Sequence, residues 1–491
     1  MSPLLRSRGV FIALFLLGLS VRIVFLPLPG TGDVTVFKIW AHAGATGRVS
    51  DMYGVGGTPP ERRLHDFDGR QATVNYPPIA LYELALVGLA YDIFVPGFPN
   101  GRALTAAVKV LPVLAEVAIV WLLVLAVRRF RPGGPEKARF AGLAYWFNPA
   151  TLLASAVLGY IDALFALPAL GALVAAAAGR GALSGGLLAL AVLTKPQAFF
   201  VAPVVGLAFL IGHEPRNPLP TIRKLALAAG AGALTAGLVL APVVVAGAWP
   251  NFLQAMGSFA RHDMLSGQAA NIWWIVTYAM RAVYAVPEMG VADAFLSPVR
   301  RPLAISTVVQ LGYPNPRLGA TAVMMGAVVW GLWKARNVRD LPRLALTGAW
   351  IVYAYFMISV QVHENHFFMI LPLLALTAAA LPQWRKMFWV LSTIFALNLY
   401  LFYGLGDGVG FYVPRTATGI DATVWLSAAN VVAFYWFGRQ FGRCLDAPEP
   451  VSGSGLTSSL RGEKGPPRAG QDTGPTAVPG DIPRPRESSS R

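Results

Sequence analysis

The chain has 491 residues, of which 55% are hydrophobic and only 13% are charged, and its formal net charge is +16. Soluble domains usually carry roughly 25% charged residues, so this composition excludes an ordinary soluble enzyme and favours a protein of the lipid bilayer. Lysine and arginine cluster in short loops between apolar stretches, which is typical of membrane topology signals and not of nucleic-acid binding. The single cysteine, Cys444, excludes a disulfide framework and a cysteine-based metal site.

The first apolar segment, residues 10–27, follows Arg6 and Arg8 and ends in Pro-Leu-Pro-Gly, without a small-residue cleavage site. We therefore expect a retained signal anchor and a cytoplasmic N-terminus. Asp33 follows directly, in the sequence Gly-Thr-Gly-Asp-Val-Thr. A carboxylate beside a membrane span is a candidate general base for a hydroxyl nucleophile. It can equally be a helix N-cap, because Thr31-Gly32-Asp33 precedes a segment that can form a helix.

The next apolar segment, 79–95, follows Tyr76-Pro77-Pro78, in which two prolines favour a rigid loop or a plain helix start. If this segment crossed the bilayer, the following span would place the basic cluster that begins at Arg128 outside. We therefore predict that 79–95 lies along the outer face as an interfacial or re-entrant helix.

With that assignment the chain predicts an all-α, polytopic transmembrane bundle of about 12 crossings, with both termini cytoplasmic. Residues 270–313 form either two short crossings or re-entrant helices. Residues 1–445 make up the membrane domain, with a first external loop at 28–106, and 446–491 form a disordered cytoplasmic tail. The expected spans are 10–27, 107–127, 141–158, 161–178, 182–194, 197–212, 225–246, 318–335, 344–361, 366–382, 387–403 and 423–438.

This topology puts several polar corners on the external face together with Asp33. Asp162 can orient a sugar hydroxyl or simply begin its helix. Lys195 opposes the usual charge rule for external loops, which indicates either an anionic group nearby or snorkelling to the interface. Gln197 follows it after one proline.

Two further clusters are predicted to face outward. Arg261 and Asp263 flank a histidine ahead of Asn-Ile-Trp-Trp, where arginine suits a phosphate group. His363, Glu364 and His366 form His-Glu-Asn-His; the histidines are three residues apart, whereas the zinc-binding His-Glu-x-x-His pattern needs four. These imidazoles can stabilise a phosphate leaving group, or the segment can be a helix cap.

Taken in order, the motifs resemble GT-C-type polytopic membrane glycosyltransferases over roughly residues 10–440. The similarity is to enzymes that use dolichyl- or polyprenyl-phosphate-linked glucose or mannose. It rests on short motifs in a common order: Gly32-Asp33, Asn75-Tyr76-Pro77-Pro78, Gly159-Tyr160-Ile161-Asp162, Lys195-Pro196-Gln197, the stretch from Phe259 to Asp263 with Asn271-Ile272-Trp273, and Val362-His363-Glu364-Asn365.

The resemblance implies interfacial helices in the first external loop and an inverting hexosyl transfer with Asp33 as the general base. It makes Lys195, Arg261 and His363 candidates for holding the lipid phosphate. Separately, the rigid Tyr76-Pro77-Pro78 segment is expected to hold Asp33 near the substrate, with Tyr76 among the substrate-binding residues. No metal ligand set is predicted. A divalent metal stays open, because some members of the class carry a metal-linked pair of acids and Asp51 is the nearest second acid.

The donor implied is a polyprenyl-phosphate-linked sugar, and the acceptor is an unidentified hydroxyl compound. The main alternative is a transporter or flippase of lipid-linked sugars, which would show two similar halves with charged groups at mid-membrane. A membrane scaffold without catalysis is the other alternative, and it leaves the one-sided clustering of polar groups unexplained.

Overall fold

The computed structural model describes residues 7–54, 58, 63–130, 134–211, 217–259, 262–296, 299, 302–407, 409 and 419–447. In these ranges the regular secondary structure is almost entirely helical. Arg261 and nearly all of the predicted tail, 446–491, lie outside them. Contacts group Met1–Asp446 into one compact unit.

The helices, in chain order, are α1 (Arg8–Phe25), α2 (Gly32–Thr46), α3 (Pro78–Phe94), α4 (Arg102–Phe130), α5 (Pro135–Trp146), α6 (Pro149–Leu152), α7 (Asp162–Ala177), α8 (Gly181–Thr194), α9 (Ala202–Ala208), α10 (Leu219–Val245), α11 (Trp249–Phe259), α12 (Ile272–Met289), α13 (Val291–Leu296), α14 (Ile305–Gln310), α15 (Pro316–Ala335), α16 (Leu341–Ile358), α17 (Ile370–Ala380), α18 (Arg385–Tyr403) and α19 (Ala422–Asp446). Short 3₁₀ turns cover Val49–Tyr53, Pro196–Val201, Glu364–Phe367 and Pro382–Trp384, and a π-helical turn covers Leu153–Val157.

Two small sheets complete the described part of the chain. Strands β1 (His65–Phe67) and β2 (Arg70–Ala72) form an antiparallel hairpin. Its turn consists of Asp68 and Gly69, whose φ angles of 54° and 70° fit the Asp-Gly turn that matches strand twist. Strands β3 (Ser266–Gly267) and β4 (Val362–His363) pair in parallel and join two distant loops.

Six helical segments are long and apolar enough to cross a bilayer: Arg8–Phe25, Arg102–Phe130, Leu219–Val245, Pro316–Ala335, Leu341–Ile358 and Pro382–Tyr403. Shorter apolar segments are Asp162–Ala177, Gly181–Thr194, Pro196–Ala208 and Glu364–Ala380. The prediction of an all-α, polytopic helical protein is confirmed. The count of about 12 crossings and the cytoplasmic termini stay predictions.

The segment 141–158, predicted as one span, is divided. Helix α5 ends at Trp146, and α6 begins with Pro149 after Asn148, whose side-chain oxygen accepts a hydrogen bond from the backbone of Ala150 (2.9 Å). Proline lacks an N–H and disfavours a helical conformation in the preceding residue, so the helix breaks here. The ambiguous segment 270–313 contains the 18-residue α12 and the short helices α13 and α14.

The first loop contains two helices, α2 and α3, as the interfacial-helix prediction requires. They pack closely because both carry glycine where they meet. A Cβ at Gly44 would lie 2.5 Å from the Cβ of Ala85, and one at Gly88 would lie 2.0 Å from the backbone oxygen of Ala41. Helix α3 is not among the described helices that qualify as spans by length and composition. Its predicted interfacial placement stays a prediction.

A buried ion pair between two spanning helices was not anticipated. Arg22 of α1 lies 2.6 Å from Glu116 of α4, and both side chains are at most 1% exposed. The same guanidinium donates to the backbone oxygen of Trp146 (2.8 Å) and lies 3.5 Å from the centre of its ring. Because a charge buried in apolar surroundings requires such partners, the pair fixes α1, and with it the start of the first loop, against α4 and α5.

Candidate functional site

A cavity among the described residues has a volume of about 920 Å³. We call it the main cavity. Segments from seven parts of the chain line it: Thr31, Gly32, Asp33, Asn75, Tyr76, Tyr160, Val192, Lys195, Pro196, Gln197, Phe199, Phe200, His262, Gln268, Tyr355, Ser359, Val360, Gln361, His363, Glu364, Asn365, His366 and Tyr403. Seven of the predicted site residues are in this set: Asp33, Tyr76, Lys195, Gln197, His363, Glu364 and His366.

Asp33 enters the cavity from the first turn of α2. Thr31 is the N-cap residue of that helix, so the alternative interpretation of Asp33 as the cap is wrong. A carboxylate in a first turn is favoured by the helix dipole. Burial raises the pKa of Asp33 above its ordinary value, and the nearby Glu364 carboxylate raises it further, against the opposing charges of Lys195 and His363. Asp33 therefore has a higher proton affinity than an ordinary exposed carboxylate.

The loop before Asp33 is held by a lysine that sequence reasoning did not select. Lys109 of α4 is fully buried, and its ammonium group donates to the backbone oxygens of Leu28 (2.6 Å) and Val157 (2.7 Å). The backbone N–H of Thr31 donates to the oxygen of Leu158 (3.1 Å). These bonds tie the start of α2 to the corner that carries Tyr160, so Asp33 and Tyr160 reach the same cavity.

Lys195 and Asp162 form a buried ion pair with 2.6 Å between nitrogen and oxygen, and their side chains are 3% and 1% exposed. Burial alone would lower the pKa of Lys195, but its interactions with Asp162, Tyr76 and Asp33 together outweigh this effect and raise it. The second oxygen of Asp162 accepts a hydrogen bond from Asn365 (3.0 Å). Asp162 is not among the lining residues, and its described role is to hold Lys195 and Asn365.

Tyr76 lies at the wall where Lys195 enters. Its ring makes edge contacts with Phe37 (6.2 Å) and Trp40 (5.5 Å) of α2, and the Lys195 ammonium group lies 5.9 Å from the ring centre. Helix α3 begins at Pro78 with Pro77 as its N-cap, as the two prolines predicted. Tyr76 therefore connects the first loop to Lys195.

The His-Glu-Asn-His segment folds as β4 followed by a 3₁₀ turn. The ring nitrogens of His366 contact Gln197 (2.9 Å) and the hydroxyl of Tyr355 (2.9 Å), which fixes the imidazole on both sides. Glu364 is buried and accepts a hydrogen bond from the hydroxyl of Tyr160. The segment thus contributes one carboxylate and two imidazoles to the cavity.

His363 is partly exposed, and its ring lies 5.9 Å from that of His262. Burial lowers the pKa of His363 to about 4, and the charge of Asp33 opposes this shift only in part. This shift favours the neutral imidazole near pH 7. The pairing of β3 with β4 and the bridge between Gln268 and His363 bring the 262–268 loop to this edge.

Two predicted residues are placed elsewhere. Besides Asp162, which lies behind the wall, Asp263 is exposed and binds the backbone N–H (2.9 Å) and hydroxyl of Ser306 at the start of α14. It is not a lining residue. Arg261 lies outside the described residues. Among the described residues, Lys195 is the only predicted lysine or arginine that lines the cavity, and Asp162 compensates its charge.

Sequence reasoning missed part of the lining. Tyr403, at the end of α18, donates to the side-chain oxygen of Gln268 (2.5 Å), and both residues line the cavity. Tyr403 is the last residue of the predicted span 387–403, and Gln268 lies two residues before the start of the segment 270–313. This position near the expected external face was the only signal that the sequence offered. Asp51, considered as a second acid, is not a lining residue; Glu364 is the second carboxylate of the cavity.

A metal site is not evident in the part of the chain that the structure describes, where no three His, Cys, Asp or Glu side chains form a group suited to an ion. Metal independence stays a prediction, because other segments of the chain lie outside that part.

No family model matches the chain, and no curated protein matches it in sequence. Solved structures that resemble it include the oligosaccharyltransferase of Archaeoglobus fulgidus in the apo form, with 13% identity, a TM-score of 0.41, and coverage of 89% of this chain and 56% of that one. The same archaeal enzyme, AglB, in complex with an inhibitory peptide and a dolichol-phosphate gives 13% identity, a TM-score of 0.40, and coverage of 90% and 56%. ArnT from Cupriavidus metallidurans in the apo state gives 16% identity, a TM-score of 0.38, and coverage of 86% and 77%. The chain thus spans a little over half the length of the archaeal enzyme, and its function is inferred below from the residues of the main cavity.

Proposed function

We propose that this protein is a GT-C-type glycosyltransferase that moves a hexose from a polyprenyl-phosphate-linked donor to a hydroxyl acceptor on the outer membrane face. The observation that carries the proposal is the placement of Asp33, Lys195 and His363 around one cavity of about 920 Å³. This volume is within the range of about 300–1,000 Å³ typical of ligand sites. A general base and phosphate-binding donors are the groups that this transfer requires.

In the proposed reaction, Asp33 takes the proton of the acceptor hydroxyl as its oxygen attacks the anomeric carbon. The bond between that carbon and the phosphate oxygen breaks, and the lipid phosphate leaves with the electron pair. A single displacement of this kind inverts the anomeric configuration. The raised pKa of Asp33 suits proton transfer, because a stronger base takes the proton more readily while it is still ionised.

The departing phosphate needs hydrogen-bond donors and positive charge. Lys195 lines the cavity, but Asp162 already compensates its charge. His363 and His262 add ring N–H donors at the same edge. A phosphate beside His363 would stabilise its protonated form, so donor binding is expected to be coupled to proton uptake.

The test is an in vitro transfer assay with a panel of radiolabelled polyprenyl-phosphate sugars, in which Asp33→Asn is compared with the wild-type protein. Loss of a general base lowers turnover by about 10²- to 10⁴-fold. Asp66→Asn is the matched control, because Asp66 is an exposed acid of the same loop and does not line the main cavity. Equal turnover by Asp33→Asn and the wild type would remove Asp33 as the base.

A further inference from the structure

Glu364 lines the main cavity, and the proposed reaction gives it no role. Its side chain is 3% exposed, and its Oε1 atom accepts a hydrogen bond from the buried hydroxyl of Tyr160. The other oxygen, Oε2, is buried and has no hydrogen-bond partner among the described residues. The Nδ1 atom of His363 lies 3.9 Å away, which is beyond hydrogen-bond distance. Because a buried acceptor without a partner is unfavourable, a ligand group that donates to Oε2 would be favoured there.

Glu364 is close both to the proposed base and to the histidine proposed to bind the phosphate. Its charge raises the pKa of Asp33 more than the charge of Asp162 does, and it is the sequence neighbour of His363. In a single displacement the anomeric carbon lies between the attacking oxygen, which is held at Asp33, and the departing phosphate oxygen. The donor sugar therefore occupies the space between the base and the phosphate, and a side chain near both is a neighbour of that sugar.

A sugar hydroxyl fits Oε2 in either protonation state of the carboxyl group. An ionised carboxylate only accepts hydrogen bonds and a protonated one can also donate, whereas a hydroxyl does both. A phosphate dianion has no proton to donate to a carboxylate and is repelled by its charge. An isoprenoid chain would leave the buried oxygen without a partner. The chemistry of Oε2 thus favours the sugar over the other two parts of the donor.

The surrounding side chains hold the Glu364 carboxyl group in place. Tyr160 donates to it, and the Tyr160 ring makes an edge contact with the ring of Tyr403 at 6.4 Å between ring centres. The Tyr403 hydroxyl lies near the same carboxylate but donates to the side-chain oxygen of Gln268 (2.5 Å), so its proton is committed elsewhere. An acceptor fixed in this way can distinguish a sugar that has a hydroxyl at the matching position from one that lacks it.

We propose that Glu364 binds a hydroxyl of the donor sugar through Oε2 and thereby selects which sugar is transferred. This inference rests on the proposed function and assigns a specificity-determining residue for its donor. A contact with the acceptor alone, or a purely structural role of Glu364, is the competing outcome.

The experiment measures the binding of farnesyl phosphate, farnesyl phosphate glucose and farnesyl phosphate mannose to the full-length protein in detergent by calorimetry, without acceptor. The sugar increment is the Kd of farnesyl phosphate divided by the Kd of whichever sugar derivative binds more tightly. We expect Glu364→Ala to lower this increment by about tenfold or more, as for the loss of a hydrogen bond to a charged group. The effect of the lost charge on phosphate binding is common to both ligands and cancels in the ratio.

Glu364→Gln is the second variant, because it keeps the side-chain shape and an acceptor for Tyr160. It replaces the charged acceptor with an amide, so the increment should fall by a smaller factor of about fivefold. Glu83→Ala is the matched control. Glu83 of α3 is also a partly buried glutamate whose Oε2 atom has no hydrogen-bond partner in the described ranges, but it does not line the main cavity.

Monodeoxy analogues of the tighter-binding sugar derivative locate the contact. One of them should bind the wild-type protein about tenfold or more weakly than the parent compound. In Glu364→Ala the same missing hydroxyl should change the affinity by less than about threefold, because the two changes remove one shared interaction.

The inference is overturned if neither sugar derivative binds the folded wild-type protein more tightly than farnesyl phosphate does. It is also overturned if Glu364→Ala and Glu364→Gln keep the wild-type increment, or if Glu83→Ala lowers the increment as much as Glu364→Ala. An equal loss of affinity for all three ligands leaves the increment unchanged and would assign Glu364 a structural role.

Asp33→Asn separates this inference from the proposed function, since the variant should keep the sugar increment while losing transfer. Lost transfer by Asp33→Asn together with an increment that does not depend on Glu364 would reject the sugar contact alone. Unchanged transfer by Asp33→Asn together with an increment that depends on Glu364 would reject the catalytic role of Asp33 alone.

Discussion

The buried pair between Lys195 and Asp162 provides the sharpest quantitative prediction, because it tests why a lysine lies at a corner that the sequence predicts to be external. The two charged atoms are 2.6 Å apart and almost fully buried. At an effective dielectric constant of about 20, their attraction amounts to about 6 kcal/mol. Removing both charges from water costs several kcal/mol per ion, which offsets much of this attraction.

Removal of one partner leaves the other charge buried without compensation. We therefore expect Asp162→Asn and Lys195→Met each to lower the free energy of unfolding by about 3–5 kcal/mol. The double variant should lose less than the sum of the two, by at least about 2 kcal/mol, because neither charge is then stranded. Asparagine at 162 keeps an acceptor for Asn365, so the hydrogen bond at 3.0 Å is not the variable.

The assay is unfolding in mixed micelles at increasing fractions of a denaturing detergent, with transfer activity measured in parallel. The control cycle uses Lys334 and Asp446, an ion pair of 2.7 Å in which the Asp446 side chain is 62% exposed. Its coupling should be below about 1 kcal/mol. The reasoning is refuted if the destabilisations of the two single variants at Lys195 and Asp162 sum to that of the double variant to within about 0.5 kcal/mol.

Three further predictions concern the main cavity and the corner beside it. Transfer should fall as pH falls through the raised pKa of Asp33. Glu364→Gln removes a charge that raises this pKa, so the variant should move the acid limb of the pH–rate profile to lower pH. An acid limb that does not move contradicts the prediction. Affinity for a short-chain polyprenyl phosphate, measured by calorimetric titration, should rise as pH falls below neutrality and level off near pH 4. The reason is that phosphate raises the pKa of His363 from about 4, so the complex binds an extra proton. His363→Gln should flatten this pH dependence, and an unchanged slope in the variant contradicts the prediction. Gly159→Ala should destabilise the protein by at least about 1 kcal/mol and lower transfer, because Gly159 has a φ of +81° and an added Cβ would lie 2.4 Å from a methyl group of Val34. The control in thermal unfolding is Gly101→Ala, whose added Cβ meets nothing within 4 Å. Equal effects of the two variants contradict the prediction.

Much of the helical framework follows from local sequence, because apolar length and basic loops are properties of contiguous residues. The predicted span 107–127 lies within α4, and 344–361 corresponds to α16 within three residues at each end. The segment 141–158 was the exception: its apolar composition indicated one span, whereas Pro149 divides it. Composition is averaged over a window, but a missing backbone N–H acts at one residue.

The candidate site was only partly predictable. Asp33 and His363 could be placed on one face by topology alone, and the structure brings them into one cavity. Topology does not give side-chain partners. Asp162 was therefore predicted to contact substrate, and Asp263 was grouped with the site, although each is bound to another part of the protein. Tyr403 lies in no motif.

The sequence by itself determined a helical membrane protein with Asp33 on the predicted external face, since hydropathy and charge distribution control insertion into a bilayer segment by segment. The tertiary structure decided which of the external polar groups face the cavity and which face each other. Lys195 is compensated by Asp162, Glu364 is the second carboxylate near Asp33, and Lys109 ties the start of the first loop to the corner of Tyr160. These contacts join residues tens to hundreds of positions apart, so they depend on how the helices pack and not on any local pattern.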